Sequence, residues 1–152
     1  MIPDEWLHVI ETPGMMPAEH LRWLINRASK VTSWTELGTY CGRSALAVGL
    51  SLPPGGLLQL VDIGFDPRFY TNLAWLMNAR PSLRITLQQT TSVEAAKSLR
   101  ATDVVFVDDD HSYEGVAASV DAWKGKYGTL CGHDYDNYRQ YRHHRVYAIW
   151  CS

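Results

Sequence analysis

Long apolar runs are missing from this chain. The longest, residues 45–50 and 104–107, fall far short of the roughly 20 residues that a membrane-spanning helix needs, so no bilayer crossing is expected. Positive charge is not in excess either. Fourteen Lys and Arg stand against sixteen Asp and Glu, a formal charge of −2, which gives no basic face for a phosphate backbone and argues against nucleic acid as a partner. Cysteine is scarce and odd in number, at positions 41, 131 and 151, with no Cys-x-x-Cys pair. That usage fits buried thiols in a reducing cytoplasm rather than a disulfide framework or a structural zinc. The opening MIPDEWLHVIE has neither a basic n-region nor a cleavage site, so it does not read as a secretory signal. Internal repeats, low-complexity tracts and long linkers are absent, and so is the Lys of a phosphate-binding P-loop.

What is present is a globular composition, 46% hydrophobic over 152 residues, which is enough to build one real core. The expected organisation is a single domain over residues 1–152, with 1–30 as an N-terminal helical segment. Leu21, Leu24, Ile25 and Ala28 share one stripe at helical spacing. Strands are expected at 33–37, 57–63, 83–88, 103–107, 129–131 and 146–150, and helices at 43–52, 67–78, 92–99 and 113–123. The turn cluster Pro53-Pro54-Gly55-Gly56 stops the first of these helices. DVVFV at 103–107 is the β-branched run of a strand buried on both faces. Strand–helix alternation at this spacing predicts an α/β fold with a doubly wound, mostly parallel sheet. Trp34, Trp75 and Trp123 are read as core or interface residues.

The stretch TELGTYCGRSAL, residues 35–46, is the first strand-to-helix turn of such a sheet, where ligands bind beyond the strand ends. Gly38 permits a sharp turn and close approach, because it lacks a Cβ. Gly42 and Ser44 open the next helix, whose free N–H groups favour electronegative atoms. The spacing E-x-G-x-x-x-G differs from the dinucleotide G-x-G-x-x-G, and a plain tight turn is the alternative. Asp62 ends the second strand about 20 residues later, where an acid can accept hydrogen bonds from ribose hydroxyls; a helix cap or a solvated acid is the alternative. Together Glu36, Gly38, Gly42 and Asp62 describe an adenosine-type pocket.

On these residues the chain resembles a known family. ELGTYCGRSALAVGLSLPPGGLLQLVDI looks like the cofactor-binding half of class I S-adenosylmethionine-dependent methyltransferases, in the group whose first loop reads E-x-G-x-x-x-G-x-S. DVVFVDDDHSYEGVAASVDAWKGKYGTLCGHDY resembles the second half of a small-molecule O-methyltransferase branch, where one strand ends in D-x-D-H-S-Y-E-G and the next in G-H-D-Y. The resemblance covers about residues 14–135. It implies a Rossmann-like methyltransferase fold with S-adenosylmethionine as cofactor. Gly38 and Gly42 would line its methionine part, Asp62 would hold the ribose, and the Thr91-Ser92 turn would lie near the adenine. Ile63 or Phe65 would stack on the base, and Tyr40, Ser44 and Asp108 would complete the cofactor set. Much of the family has an acid where this chain has Thr91.

Asp108, Asp109, Asp110 and His111 follow the fourth strand, and Gly132-His133-Asp134-Tyr135-Asp136 follows the fifth, so both groups converge on one mouth of the sheet. Crowded carboxylates and imidazoles need a cation, a hydrogen-bonded partner or a substrate, and oxygen ligands with one imidazole suit Mg²⁺ or Mn²⁺, or Fe²⁺. The resemblance implies Asp108 and Asp134 as metal ligands, with His133 in place of a further carboxylate. It also implies His111, with Asp110 beside it, as the catalytic base. Imidazole is the side chain whose charge changes nearest neutral pH. The alternatives are a solvated loop capping the next helix, and a His133 bonded to backbone.

After the fifth strand the chain has room for one short strand where the fold's larger members have more, so the sheet is expected to be shortened. An exposed edge then predicts a homo-oligomer. Arg139, Arg142, His143, His144 and Arg145 are read as a solvated tail or a site for an anionic substrate. The expected function is methyl transfer to an oxygen of a small-molecule acceptor, a sugar or phenolic hydroxyl, with metal assistance. The alternative is an S-adenosylmethionine-binding module without transfer activity, or an enzyme degrading that cofactor.

Overall fold

The computed structural model describes residues 4–133 and 150–151. Two N-terminal helices, α1 (Asp4–Glu11) and α2 (Ala18–Ala28), precede an alternating run: β1 (Ser33–Leu37), α3 (Arg43–Ser51), β2 (Leu57–Asp62), α4 (Pro67–Ala79), β3 (Arg84–Gln89), α5 (Ser92–Ser98), β4 (Thr102–Val107), α6 (Tyr113–Ala122), β5 (Tyr127–Gly132) and β6 (Trp150–Cys151). The sheet order is β3-β2-β1-β4-β5-β6. β1 to β5 are parallel, and β6 pairs antiparallel with β5. This is the doubly wound, mostly parallel sheet expected, and its strand order reverses between β1 and β4.

Side chains alternate across the central strands with a period of two, which divides the core in two. Trp34, Leu58, Leu60, Val104 and Phe106 point to the face covered by α1 to α4. Leu37, Val61, Val105, Val107 and Leu130 point to the other, where Trp123, Ala95 and Ala96 of the α5–α6 side close over them. Trp34 and Trp123 are fully buried. Trp75 is half-buried and stacks on His8, ring centroids 4.3 Å apart.

The lower end of the sheet is held by polar pairing. Gln59 donates to Thr35 Oγ1 at 2.8 Å, and Thr35 and Thr102 share a hydroxyl contact of 2.9 Å. The Asp103 Oδ2 accepts from Thr32 N, Thr32 Oγ1 and Ser33 N at 2.8–2.9 Å, joining the starts of β1 and β4.

Residues 4–11 form a helix inside the expected N-terminal helical segment; Val9 is buried, and His8 bonds Asn72 of α4. Two expectations change. β5 begins at Tyr127 rather than residue 129, because Thr102 pairs with Tyr127 in the parallel register. Cys41 and Cys131 are buried, but Cys151 is exposed, since β6 lies at the sheet edge. Residues 146–149 of the expected last strand, and the Arg139–Arg145 cluster, lie outside the described residues. No helix among the described residues is long and apolar enough to cross a membrane.

Candidate functional site

The turn after β1 and the turn after β4 meet where the strand order reverses. Gly38, at φ +88°, continues the sheet hydrogen bonding through its N–H to Val61 O at 2.8 Å. A Cβ added there would stand 2.2 Å from Asp108 O and 2.6 Å from the Asp109 Cα. Glycine is therefore demanded both by its dihedral and by the backbone of the neighbouring loop. Gly42, also at φ +88°, forms the N-terminal boundary of α3.

Asp62 braces this loop. Its Oδ2 accepts from Thr39 N at 2.8 Å and Tyr40 N at 2.9 Å, and its Oδ1 accepts from Gly64 N at 3.0 Å. A carboxylate has about four acceptor sites, so roughly one is left for a ligand hydroxyl where the sequence suggested two. Tyr40 holds a left-handed φ of 48°, and its hydroxyl accepts from Arg68 Nη2 at 3.2 Å. Beneath the loop Glu36 is fully buried, with Ser44 donating to its Oε1 at 2.9 Å while Oε2 has no hydrogen-bond partner among the described residues. Burial holds this carboxyl well above the usual carboxylate range; the Ser44 hydrogen bond opposes that, and the charges of Asp108 and Asp62 add to it.

Two cavities open on these loops. A cavity of about 560 Å³ runs from Gly38, Asp62 and Ile63 past Thr91 and Ser92 to Ser119 of α6. A second, of about 300 Å³, lies between the glycine loop, Asp108 and His133, with Pro13, Gly14, Met15 and Met16 as its far wall. Gly38, Asp62, Asp109 and His111 line both, so the cavities join at the loop junction. Of the expected residues, Ile63 and Ser92 face the larger, Tyr40, Ser44, Asp108 and His133 the smaller, and Asp110 the larger.

Asp110 is also committed locally. Its Oδ1 accepts from Ser112 N at 2.7 Å, and hydrogen bonds from Ser112 hold its carboxyl below the usual range, with a smaller contribution from the nearby His111. Ser112 rather than an aspartate caps α6, accepting from Gly115 N at 3.0 Å. Asp110 therefore shapes the loop that presents His111 while also lining the larger cavity.

Sequence reasoning missed several wall residues. The wall at 13–16 is fastened by Arg43, whose guanidinium donates to Val9 O, Ile10 O, Gly14 O and Met16 O at 3.2–3.4 Å. In the larger cavity Ser92 and Ser119 share a hydroxyl contact of 2.6 Å, and Ser119 donates to Asp109 Oδ2 at 3.0 Å. His20 on α2 reaches His133, with Nδ1 and Nε2 3.0 Å apart, and the Nδ1 of His133 lies 3.5 Å from Asp108 Oδ1.

That arrangement bears on the expected metal. Asp108 and His133 do come together, Asp134 lies outside the described residues, and no group of three or more His, Cys, Asp or Glu among the described residues is placed to hold an ion. One His133 nitrogen faces His20 and the other Asp108. The described residues thus supply two of the three expected ligands. A nucleoside-type cofactor fits better, because the glycine loop is already open beside a cavity of suitable size.

A protein-family model described as a methyltransferase domain matches residues 35–135. No curated protein matches the chain. Among solved structures, similarity extends to an O-methyltransferase from Bacillus cereus in complex with SAH, at TM-score 0.65 and 12% identity, covering 88% of this chain and 67% of that one. A methyltransferase from Geobacter sulfurreducens aligns at TM-score 0.63 and 15% identity over 78% of this chain and 61% of its own. The O-methyltransferase TomG from Streptomyces achromogenes, in complex with SAM, aligns at TM-score 0.60 and 17% identity over 79% and 57%. The chain thus spans between 57% and 67% of the length of these structures, and identities this low speak for the fold alone.

Proposed function

The chain belongs to the methyltransferase-domain family, and from that premise we propose that it transfers the methyl group of S-adenosylmethionine to a hydroxyl oxygen of a small molecule, with residues 1–152 acting as one domain. The observation that carries this reading is the junction of the two cavities at Gly38, Asp62, Asp109 and His111. The larger suits an adenosine, with Asp62 at its ribose end and Ser92 toward the base. The smaller suits the methionyl end together with an acceptor. O-methyltransferases among the structural neighbours support the choice of oxygen.

When bound, the cofactor supplies an electrophilic methyl on a sulfonium. The chain's own part is to orient and to move a proton. The backbone at Gly38 and the Ser44 hydroxyl border the methionyl end, Asp62 keeps the loop open, and the wall at 13–16 bounds the smaller cavity on its far side. Rate gain then comes mainly from proximity and alignment. His111, exposed and lining both cavities, takes the acceptor's hydroxyl proton on an imidazole nitrogen.

The test is calorimetric titration with S-adenosylmethionine and S-adenosylhomocysteine, with chelator and with Mg²⁺ or Mn²⁺, followed by transfer of a labelled methyl to a panel of small hydroxyl compounds. His111→Gln is expected to lower turnover by about 10²-fold or more while leaving cofactor affinity unchanged. Absence of binding under every condition overturns the cofactor assignment, and full turnover by the variant overturns the base.

A further inference from the structure

Cys131 and Cys151 stand directly opposite one another in the antiparallel β5–β6 pair. Residues so placed have Cα atoms about 4.5–5.5 Å apart, inside the window that a disulfide spans. Their sulfurs lie 2.7 Å apart, and both are free thiols. Access differs between the two: Cys131 is buried and Cys151 is exposed. The remaining cysteine, Cys41, is buried in the glycine loop, away from this edge.

Cys151 also borders a cavity of about 460 Å³ on the outer side of β5, whose other walls are Trp23, Asn26, Arg27, Lys30 and Thr129. Two of these are cations and none is an acid. Arg27 Nη2 donates to Thr129 Oγ1, which fixes the guanidinium beside the strand, and its Nε has no hydrogen-bond partner among the described residues. An exposed thiol in a positively charged cleft with an indole wall suits a small anionic molecule carrying a disulfide.

We propose that Cys151 and Cys131 form a thiol–disulfide exchange pair whose co-reactant is an anionic low-molecular-weight disulfide bound in the Trp23–Arg27–Lys30 cleft. Cys151, as thiolate, attacks one sulfur of the incoming disulfide; a mixed disulfide forms and one small thiolate leaves. Cys131, giving its proton to solvent, then attacks the Cys151 sulfur, and the second small thiolate leaves as the intramolecular bond forms. The two protein thiols lose two electrons and two protons, and the co-reactant is reduced to two thiols. The product closes a covalent ring around residues 132–150. That ring starts beside His133, 3.5 Å from Asp108, so oxidation ties both ends of the segment that leaves the candidate site. The assignment stands independently of methyl transfer.

The test uses the reduced full-length chain, treated with glutathione disulfide or with the cationic disulfide cystamine, then alkylated and mapped by mass spectrometry. Wild type is expected to give a Cys131–Cys151 linked peptide lacking two hydrogens, with Cys41 still alkylated. Cys131→Ser is expected to accumulate a glutathione adduct on Cys151, and Cys151→Ser to remain unmodified. Lys30→Met, a change at an exposed side chain, and Arg27→Met are expected to slow the reaction with glutathione disulfide by about tenfold and not the reaction with cystamine. The oxidised wild type is expected to melt several degrees higher, reversibly with dithiothreitol. A stable Cys151 adduct in the wild type, linkage between chains instead of within one, or first reaction at Cys41 overturns the pair. Equal slowing with both disulfides, or none with either, overturns the cleft.

Discussion

Gly38→Ala is the sharpest test of how the candidate site is built. Two costs arise at this position. The first is the dihedral, φ +88°, which costs a residue with a Cβ about 1–2 kcal/mol. The second is contact: the new Cβ would meet Asp108 O at 2.2 Å, Asp108 C at 2.5 Å and Asp109 Cα at 2.6 Å. All three are backbone atoms, so no side chain can rotate away. The loop after β4 must move by something approaching 1 Å, against hydrogen bonds of 2.8 Å from Asp108 N to Leu37 O and from Gly38 N to Val61 O. Overpacking of this kind costs about 1–3 kcal/mol more, giving a total of about 2–5 kcal/mol. Gly55 is the internal control, since its φ is +75° and a Cβ there meets nothing within 4 Å, so Gly55→Ala carries only the dihedral cost of about 1–2 kcal/mol. Urea denaturation of both variants measures the difference, and calorimetry with S-adenosylhomocysteine should show binding lost in Gly38→Ala and kept in Gly55→Ala. If the two variants lose the same stability within about 0.5 kcal/mol, the two loops are not in the contact described and the argument fails.

Three further outcomes follow from the same geometry. Asp103→Ala removes the acceptor of three hydrogen bonds and should cost about 1–3 kcal/mol at pH 7. Burial raises the Asp103 pKa, but the Thr32 and Ser33 hydrogen bonds outweigh it and hold it below the usual range. Its stabilisation is therefore present above the unfolded pKa and lost as pH falls through the folded one, so the gap between wild type and variant should close in acid; a gap constant from pH 7 to pH 3 refutes this. Glu36 has the opposite sign: the folded state keeps a proton that the unfolded state releases, so stability falls as pH rises from the ordinary carboxylate range to the raised folded value. Glu36→Gln should remove that slope, and parallel urea midpoints for the two proteins between pH 5 and pH 8 would show that the folded state holds no extra proton at Glu36. Arg43→Gln should loosen residues 9–16 and speed their amide exchange by about tenfold or more, with β1 to β4 unchanged; equal protection in both proteins means the four carbonyl contacts do not hold the wall.

The parallel sheet was legible because central strands buried on both faces must be apolar throughout, and VVFV and LLQLV have few other uses. Gly38 and Asp62 were legible because a tight turn and a strand-end acid are local requirements with narrow residue choices. For residues 4–11 only the helical segment was legible and not its packing, since His8 stacks on Trp75, a partner nearly 70 residues away. The wall at 13–16 was hidden for the same reason: its fastening is Arg43, which in sequence looks like a surface residue opening a helix. His20 carries no signal in the pattern of α2, and its meeting with His133 is a product of tertiary packing. A run of three aspartates does not show that Asp110 both lines the larger cavity and accepts a hydrogen bond from its own loop.

Asp62 shows how binding and folding requirements meet in one carboxylate. Tyr40, between the two loop glycines, sits in the left-handed region at φ 48°, a conformation that costs a residue with a Cβ about 1–2 kcal/mol. Its N–H, however, donates to Asp62 Oδ2 at 2.9 Å, beside that of Thr39 at 2.8 Å. Hydrogen bonds to a charged acceptor contribute about 1.5–3 kcal/mol each, so the pair outweighs the strain and the loop keeps its open shape before any ligand arrives. A ligand that binds such a loop does not have to organise it, and more of its contact energy appears as affinity. Asp62→Asn would then turn an acceptor oxygen into a donor facing other donors, at Gly64 N or at the Thr39 and Tyr40 amides. Its effect on cofactor affinity should therefore exceed the loss of a single ribose hydrogen bond, because the shape of both cavities rests on the same atoms.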